Sequence, residues 1–268
     1  MQPETVSRSE RDASGDPTPA LRAAAWEGIH DLRHAFFGRR GGVSDAPWRS
    51  LNLSDRVGDD PRAVAENWTR VRSALSDLQL ARTRQVHGVC VLPIERADAA
   101  AAAEADGMIT RAAGLGLALL TADCVPILCV APAVRAAMAL HAGWRGTLAG
   151  IVSAGLAAAR ERHGIEPADW QVALGPSIGG CCYEVEAHIG EQLVGRWGAM
   201  PDAWQPAGLR GQLDLRAANR QILLAHGVPT SQIVAVGPCT SCREDEYFSH
   251  RRSNGQAGRQ LSVVGWAT

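Results

Sequence analysis

Residues 115–134, LGLALLTADCVPILCVAPAV, form the longest apolar region of the chain, and Asp123, Pro126 and Pro132 interrupt it. A helix that crosses a bilayer needs about 20 predominantly apolar residues, so this stretch reads instead as two buried strands that turn at Asp123. The runs around it have the same character. QVHGVCVLPI precedes it and AAMALHA follows it, both short and β-like, while WQVALG and QIVAVG supply two further strands downstream.

Helical patterns alternate with these runs. Asp59-Asp60-Pro61 offers a cap and a first-turn proline to AVAENWTRVRSALSDL, and GTLAGIVSAGLAAARERHG reads as one helix ending at a glycine. Further helices are expected over 185–197 and 213–226. The expected architecture is α/β, one mixed domain over 25–268 behind a polar, Pro- and Ser-containing leader over 1–24 that is expected to be disordered. Two segments echo each other: VALGPSIGGCCYEV and VAVGPCTSCREDEYF each run strand, Gly-Pro, cysteines. They are too short to establish a duplication.

Charge restricts the partners. The formal net charge is -1, which gives no field to gather nucleic acid or an anionic membrane, so a small-molecule substrate is expected. All 27 basic residues are arginine, which removes Schiff-base lysine chemistry and any P-loop and leaves anion recognition to guanidinium groups. The leader lacks the apolar core of a secretory signal, and seven cysteines are an odd number, so a cytoplasmic location with reduced thiols is expected.

His87, Cys124 and His141 each sit where an apolar run meets a glycine or acidic turn. One thiolate and two imidazoles would suit zinc with a fourth position open, the catalytic rather than the structural arrangement. Taken singly, each residue reads as readily as a buried thiol or a satisfied histidine. In HAGWRGTLAGI, Arg145 stands at a strand-turn-helix junction, where it would either hold a phosphate with the helix amides or remain a solvated surface charge.

Competing motifs are weaker. Gly175-Pro-Ser177-Ile-Gly179 matches a nucleophile elbow formally, but GGCCYEV after it is a loop, not the helix that an elbow feeds. Pro238-Cys239-Thr-Ser-Cys242 matches half of a cytidine-deaminase signature whose H-x-E half is missing. Cys181, Cys182, Cys239 and Cys242 could close a second zinc site, although the spacing reads more readily as scattered buried thiols. No histidine occurs as H-x-H, which argues against an oxygen-reducing copper cluster.

FFGRRGGVS, LNL, QVHG, ADGMIT, TADCVP, HAGWRGT, LGPSIGGCCYEV and YFSHRR, in this order from about residue 35 onward, resemble the YfiH-like family. That family was long labelled laccase-like polyphenol oxidase and is regarded as zinc-dependent purine nucleoside phosphorylase with adenosine deaminase activity. The resemblance implies a layered α/β sandwich of the YfiH and cytotoxic necrotizing factor type, and the likeness to those hydrolases keeps a cysteine hydrolase as the competing reading. It implies His87, Cys124 and His141 as ligands of zinc, with copper the less favoured metal.

The same resemblance puts Arg39 and Asn52 near phosphate or ribose, although either could serve surface pairing or a turn. It places Ser249, His250 and Arg251 at the pocket's C-terminal side, with His250 where the family often carries an aromatic. Asp123, beside Cys124, would orient a ligand, move a proton or cap its turn. The implied reactions are phosphorolysis of adenosine, inosine, guanosine or methylthioadenosine to base and ribose 1-phosphate or its methylthio analogue, and deamination of adenosine. The protein is expected to act as a monomer. The competing reading makes Cys124 a nucleophile and His141 its base, acting on a substrate such as a peptidoglycan precursor.

Overall fold

The computed structural model describes residues 7–8, 20–100 and 103–268. The two apolar runs split at Asp123 are indeed strands, β7 (Leu115–Thr121) and β8 (Val125–Ala131), but they enter different sheets. One six-stranded sheet runs β1 (Ser7–Arg8), β2 (Ala20–Arg22), β3 (Leu32–Phe37), β15 (Gln260–Trp266), β7, β4 (Gln79–Ala81). The other runs β14 (Ile233–Ala235), β10 (Gln171–Leu174), β8, β9 (Ala136–Ala142), β6 (Gly107–Thr110), β5 (Val91–Pro93). The turn at 122–124 is therefore where the chain crosses from one sheet to the other.

Strand alternation explains the layering. On β7, Leu117 and Leu119 face the interval between the sheets, where they meet Leu128 and Val130 of β8 and Ala137 and Ala139 of β9. The opposite face of the first sheet, including Ala118, Leu261 and Val263, is covered by Val64, Trp68 and Val71 of helix α1 (Pro61–Ala74). The opposite face of the second sheet, with Ile127, Cys129, Met138 and Leu140, is covered by α3 (Ile151–His163) and α5 (Leu215–Ala225). The result is a mixed α/β sandwich, helix, sheet, sheet, helix. A three-stranded sheet of β11 (Glu184–Glu186), β13 (Arg210–Leu213) and β12 (Trp204–Ala207) packs beside α4 (Ala187–Trp197).

Helix α1 begins as its sequence dictates, with the Asp60 carboxylate accepting from the Arg62 amide and Pro61 in the first turn. Other expectations need correction. The run 146–164 expected to be one helix is shared by two, α2 (Trp144–Ala149) and α3, because Gly150 adopts φ 99°, which a helix cannot propagate through. QVHGVCVLPI is strand only at β5; its first half is a loop, for a reason given below. Most of the expected leader lies outside the described residues, but the ordered sheet starts before residue 25. Leu21 of β2 packs on the inter-sheet core and the Ala23 amide donates to His34 Nε2 at 2.9 Å. No helix among the described residues is long and apolar enough to cross a membrane.

Candidate metal and anion site

Cys124 lies at the sheet-to-sheet crossover, just before β8, and His141 is the penultimate residue of the neighbouring β9, opposite Pro126. His87 comes from the loop before β5. That loop cannot run as a strand because its amides are taken elsewhere: Val86, His87 and Gly88 all donate to the Asp106 carboxylate, at 3.1, 2.9 and 2.7 Å. The wrapping carries His87 into the left-handed region at φ 61°. Asp106 also accepts from His141 Nδ1 at 2.7 Å and is fully buried. One carboxylate thus aims both imidazoles.

The ligand atoms of His87, Cys124 and His141 lie within 4.8 Å of one another, with Cys124 Sγ 3.8 Å from His87 Nε2. Gly143 makes this approach possible. A Cβ there would stand 2.9 Å from the His87 ring and 3.0 Å from Cys124 Sγ, so only glycine lets the backbone pass. With Nδ1 of His141 held by Asp106, its Nε2 is the atom left to ligate.

Burial opposes a thiolate at Cys124, but the charge of His141 and hydrogen bonds from His141 and His87 outweigh it and bring the thiol down to about 6. Burial likewise opposes charge on His141, yet Cys124 and Asp106 raise it to about 9. Asp106 is itself held low despite its burial, by His141 and by the amides of Gly88 and Val86. The site is thus built to stabilise a thiolate. One thiolate and two imidazoles of this compactness fit zinc, and binding would displace the imidazolium proton.

The three side chains open into a cavity of about 730 Å³. Six arginines line it, Arg56, Arg82, Arg84, Arg145, Arg251 and Arg259, against two acids, Asp55 and Asp123. Some of these guanidiniums are already engaged: Arg82 with Asp55 at 3.4 Å, Arg84 with Glu104 at 2.9 Å, Arg251 with the Glu184 carbonyl at 2.6 Å. Arg145 stacks on Trp144 at 4.4 Å and, like Arg56, has no side-chain hydrogen bond or ion pair among the described residues. Those two are poised for an anion.

The other candidates divide. Asp123 does not turn toward the thiol; its buried carboxylate accepts from Thr240 Oγ1 at 2.7 Å, Ser249 Oγ at 3.0 Å and the Arg251 amide at 2.7 Å. It fastens the crossover turn to the C-terminal loop, and Ser249 is fully buried in that fastening. His250 and Arg251 line the cavity. Arg39 and Asn52 do not. The Arg39 guanidinium is spent on the Arg49 and Glu244 carbonyls and on the Phe248 ring, and Asn52 bridges Ser54, Asp59 and the Arg259 amide, so it acts through residues that do line the cavity. Ser177 is fully buried away from the cavity.

Sequence reasoning missed Asp106, Arg56, Arg259 and Tyr183. The acid in ADGMIT could have been found as the partner that a histidine ligand needs. Tyr183 lines the cavity with its phenol pushed up to about 12, by burial first and then by the Cys124 charge. Arg56 and Arg259 carry no local signal.

A family profile described as multi-copper polyphenol oxidoreductase laccase matches residues 33–267. The chain is 41% identical over 243 residues to purine nucleoside phosphorylase YlmD of Geobacillus stearothermophilus, covering 85% of this chain and 87% of the relative. The crystal structure of YlmD from that organism superposes with a TM-score of 0.86 at 36% identity, over 97% of this chain and 98% of the other. Bacillus licheniformis YfiH superposes with a TM-score of 0.85 at 31% identity, over 93% and 97%.

Proposed function

This chain belongs to the YfiH-like family, described as multi-copper polyphenol oxidoreductase laccase, and from that membership we propose that it is a zinc-dependent purine nucleoside phosphorylase with adenosine deaminase activity. The observation that carries the reading is the union, in one cavity, of His87, Cys124 and His141 with two arginines, Arg56 and Arg145, that have no side-chain hydrogen bond or ion pair among the described residues. Relatives at 41% and 38% identity bear the name purine nucleoside phosphorylase. The lack of any H-x-H pair speaks against a multinuclear, oxygen-reducing copper cluster, while the single cysteine and two histidines would suit one copper as well as zinc.

When bound by His87, Cys124 and His141, zinc supplies a Lewis acid and lowers the pKa of a water. The chain's own residues supply the rest. Arg145 and Arg56 hold phosphate by charge-assisted forks, and His250 and Tyr183 border the space for base and sugar. A phosphate oxygen then bonds to the anomeric carbon as the bond to the purine nitrogen breaks; the electron pair leaves with the purine, which takes up a proton. Ribose 1-phosphate is the other product. Positioning and charge stabilisation are the protein's share of this work. Methylthioadenosine, inosine and guanosine fit the same scheme.

A second reading draws on the lowered Cys124 thiol, since a thiolate can be a nucleophile as well as a ligand. It makes Cys124 and His141 a hydrolytic pair. One experiment separates the two: purified protein is given adenosine with and without phosphate, and adenine, inosine and ribose 1-phosphate are resolved chromatographically before and after chelation. Phosphate-dependent adenine that disappears with the metal supports the phosphorylase. An absence of product from zinc-loaded protein, with alkylation of Cys124 increased after chelation, would sink it in favour of the hydrolase.

A further inference from the structure

Cys181, Cys182, Cys239 and Cys242 lie outside the cavity, and the reading of them as scattered buried thiols is overturned. Two are exposed and two half-buried, all four are free, and their sulfurs all lie within 4.8 Å of one another. The topology explains the meeting. Strands β10 and β14 are parallel neighbours with Leu174 opposite Ala235, and each leaves the same sheet edge through Gly-Pro. The echo between VALGPSIGGCCYEV and VAVGPCTSCREDEYF is thus two like exits side by side, joined by a bridge between Ser177 and Cys239 and by the Thr240 amide donating to the Ser177 carbonyl at 3.0 Å.

Distances match one cation. Zinc binds thiolate at about 2.3 Å, so a tetrahedral shell places its sulfurs roughly 3.8 Å apart. Here Cys242 Sγ lies 3.6 Å from Cys181 Sγ and 3.4 Å from Cys182 Sγ. Two disulfides would need no such four-way convergence. One sulfur already has an outer partner: the Gly179 amide donates to Cys239 Sγ at 3.3 Å. Arg216 of α5 grips the Gly237 carbonyl at 2.9 Å, with its charge acting on Cys239 and Cys181.

We propose that Cys181, Cys182, Cys239 and Cys242 bind a second zinc ion, closed by four protein ligands and therefore structural, which clamps the loop that forms one wall of the cavity to the loop 237–243 behind it. Ile178 and Tyr183, on either side of the first cysteine pair, line that cavity. Thr240, inside the second pair, donates to Asp123, and Arg252 holds the carbonyls of Thr240 and Ser241 at 2.7 and 3.0 Å beside His250 and Arg251. The clamp thus ties Ile178 and Tyr183 to the loop that holds Asp123 and braces the turn bearing His250 and Arg251. It stands independently of the phosphorylase reading.

The test removes the first site to see the second. A His87→Ala/His141→Ala protein, reconstituted with zinc under reducing conditions and desalted, should keep one zinc per chain whose X-ray absorption fits four sulfurs at about 2.3 Å. Adding Cys239→Ser and Cys242→Ser should remove it. No retained zinc, a shell containing nitrogen, or cysteines paired as disulfides in protein purified without oxygen would overturn the proposal. Should the histidine variant fail to fold, cobalt-loaded wild-type protein decides. A tetrathiolate charge-transfer spectrum lost in Cys182→Ser supports the site, and a spectrum unchanged by that substitution rejects it.

Discussion

The Asp106 carboxylate meets His141 Nδ1 at 2.7 Å through the same oxygen that accepts the His87 amide at 2.9 Å. A single buried acid therefore fixes the tautomer of one histidine and the backbone of the other. Asp106→Asn keeps the shape but turns an amide NH₂ toward donors that need an acceptor. Loss of such a partner costs roughly 10- to 100-fold in metal affinity, and this is the fall expected in a zinc competition titration. An affinity unchanged within error would show that the acid supports the loop and not the metal.

Arg145 should act on phosphate alone. It lines the cavity without a protein hydrogen bond, so Arg145→Met deletes an anion contact without orphaning a partner. A hydrogen bond to a charged group is worth about 1.5–3 kcal/mol, so on the proposed function KM for phosphate should rise about 10- to 100-fold while the proposed deamination, which uses no phosphate, keeps its rate. Arg145→Lys should recover only part of the loss, because a point charge does not reproduce the fork. Equal loss of both activities would place Arg145 in folding or in nucleoside binding.

Much of this architecture was legible in the chain because burial and period act locally. The breaks at Asp123 and Pro132 mark real strand ends, Asp60 and Pro61 start α1, and Gly164 ends α3. What escaped depends on pairings remote in sequence. No local pattern tells that β7 and β8 part into different sheets, that Asp106 would gather amides from 86–88, or that Arg259 would border the cavity beside Cys124. The motif HAGWRG drew attention to Arg145, which lines the cavity, whereas FFGRR drew attention to Arg39, whose guanidinium the fold consumes in carbonyls. Residue type shows what a side chain can do; topology decides which partner reaches it first.

Ser249 offers a test of the crossover turn. Its hydroxyl donates to the buried Asp123 carboxylate at 3.0 Å and accepts from the Arg252 amide at 3.2 Å, so Ser249→Ala removes a charge-assisted bond and leaves an amide short of a partner. A cost of about 1.5–3 kcal/mol is expected. For a chain of this size that amounts to a fall in Tm of several degrees by calorimetry. A variant as stable as wild type would mean that Thr240 and the Arg251 amide suffice to hold Asp123.

His34 gives the chain an acid-sensitive seam. Burial, aided by the nearby charge of Arg22, lowers it to about 4, and as the neutral ring it accepts the Ala23 amide that docks β2 on β3. The unfolded chain takes up a proton near the ordinary value of 6.5, so between 6.5 and 4 it binds more protons than the folded one. The contribution is fully present above pH 6.5 and declines as the pH falls toward 4, a loss on the order of 3 kcal/mol. His34→Gln keeps an acceptor without a proton to gain. In urea unfolding at pH 7.5 and pH 4.5, the wild-type protein should lose more stability than this variant by most of that amount, and parallel losses in the two would show that His34 does not govern the seam.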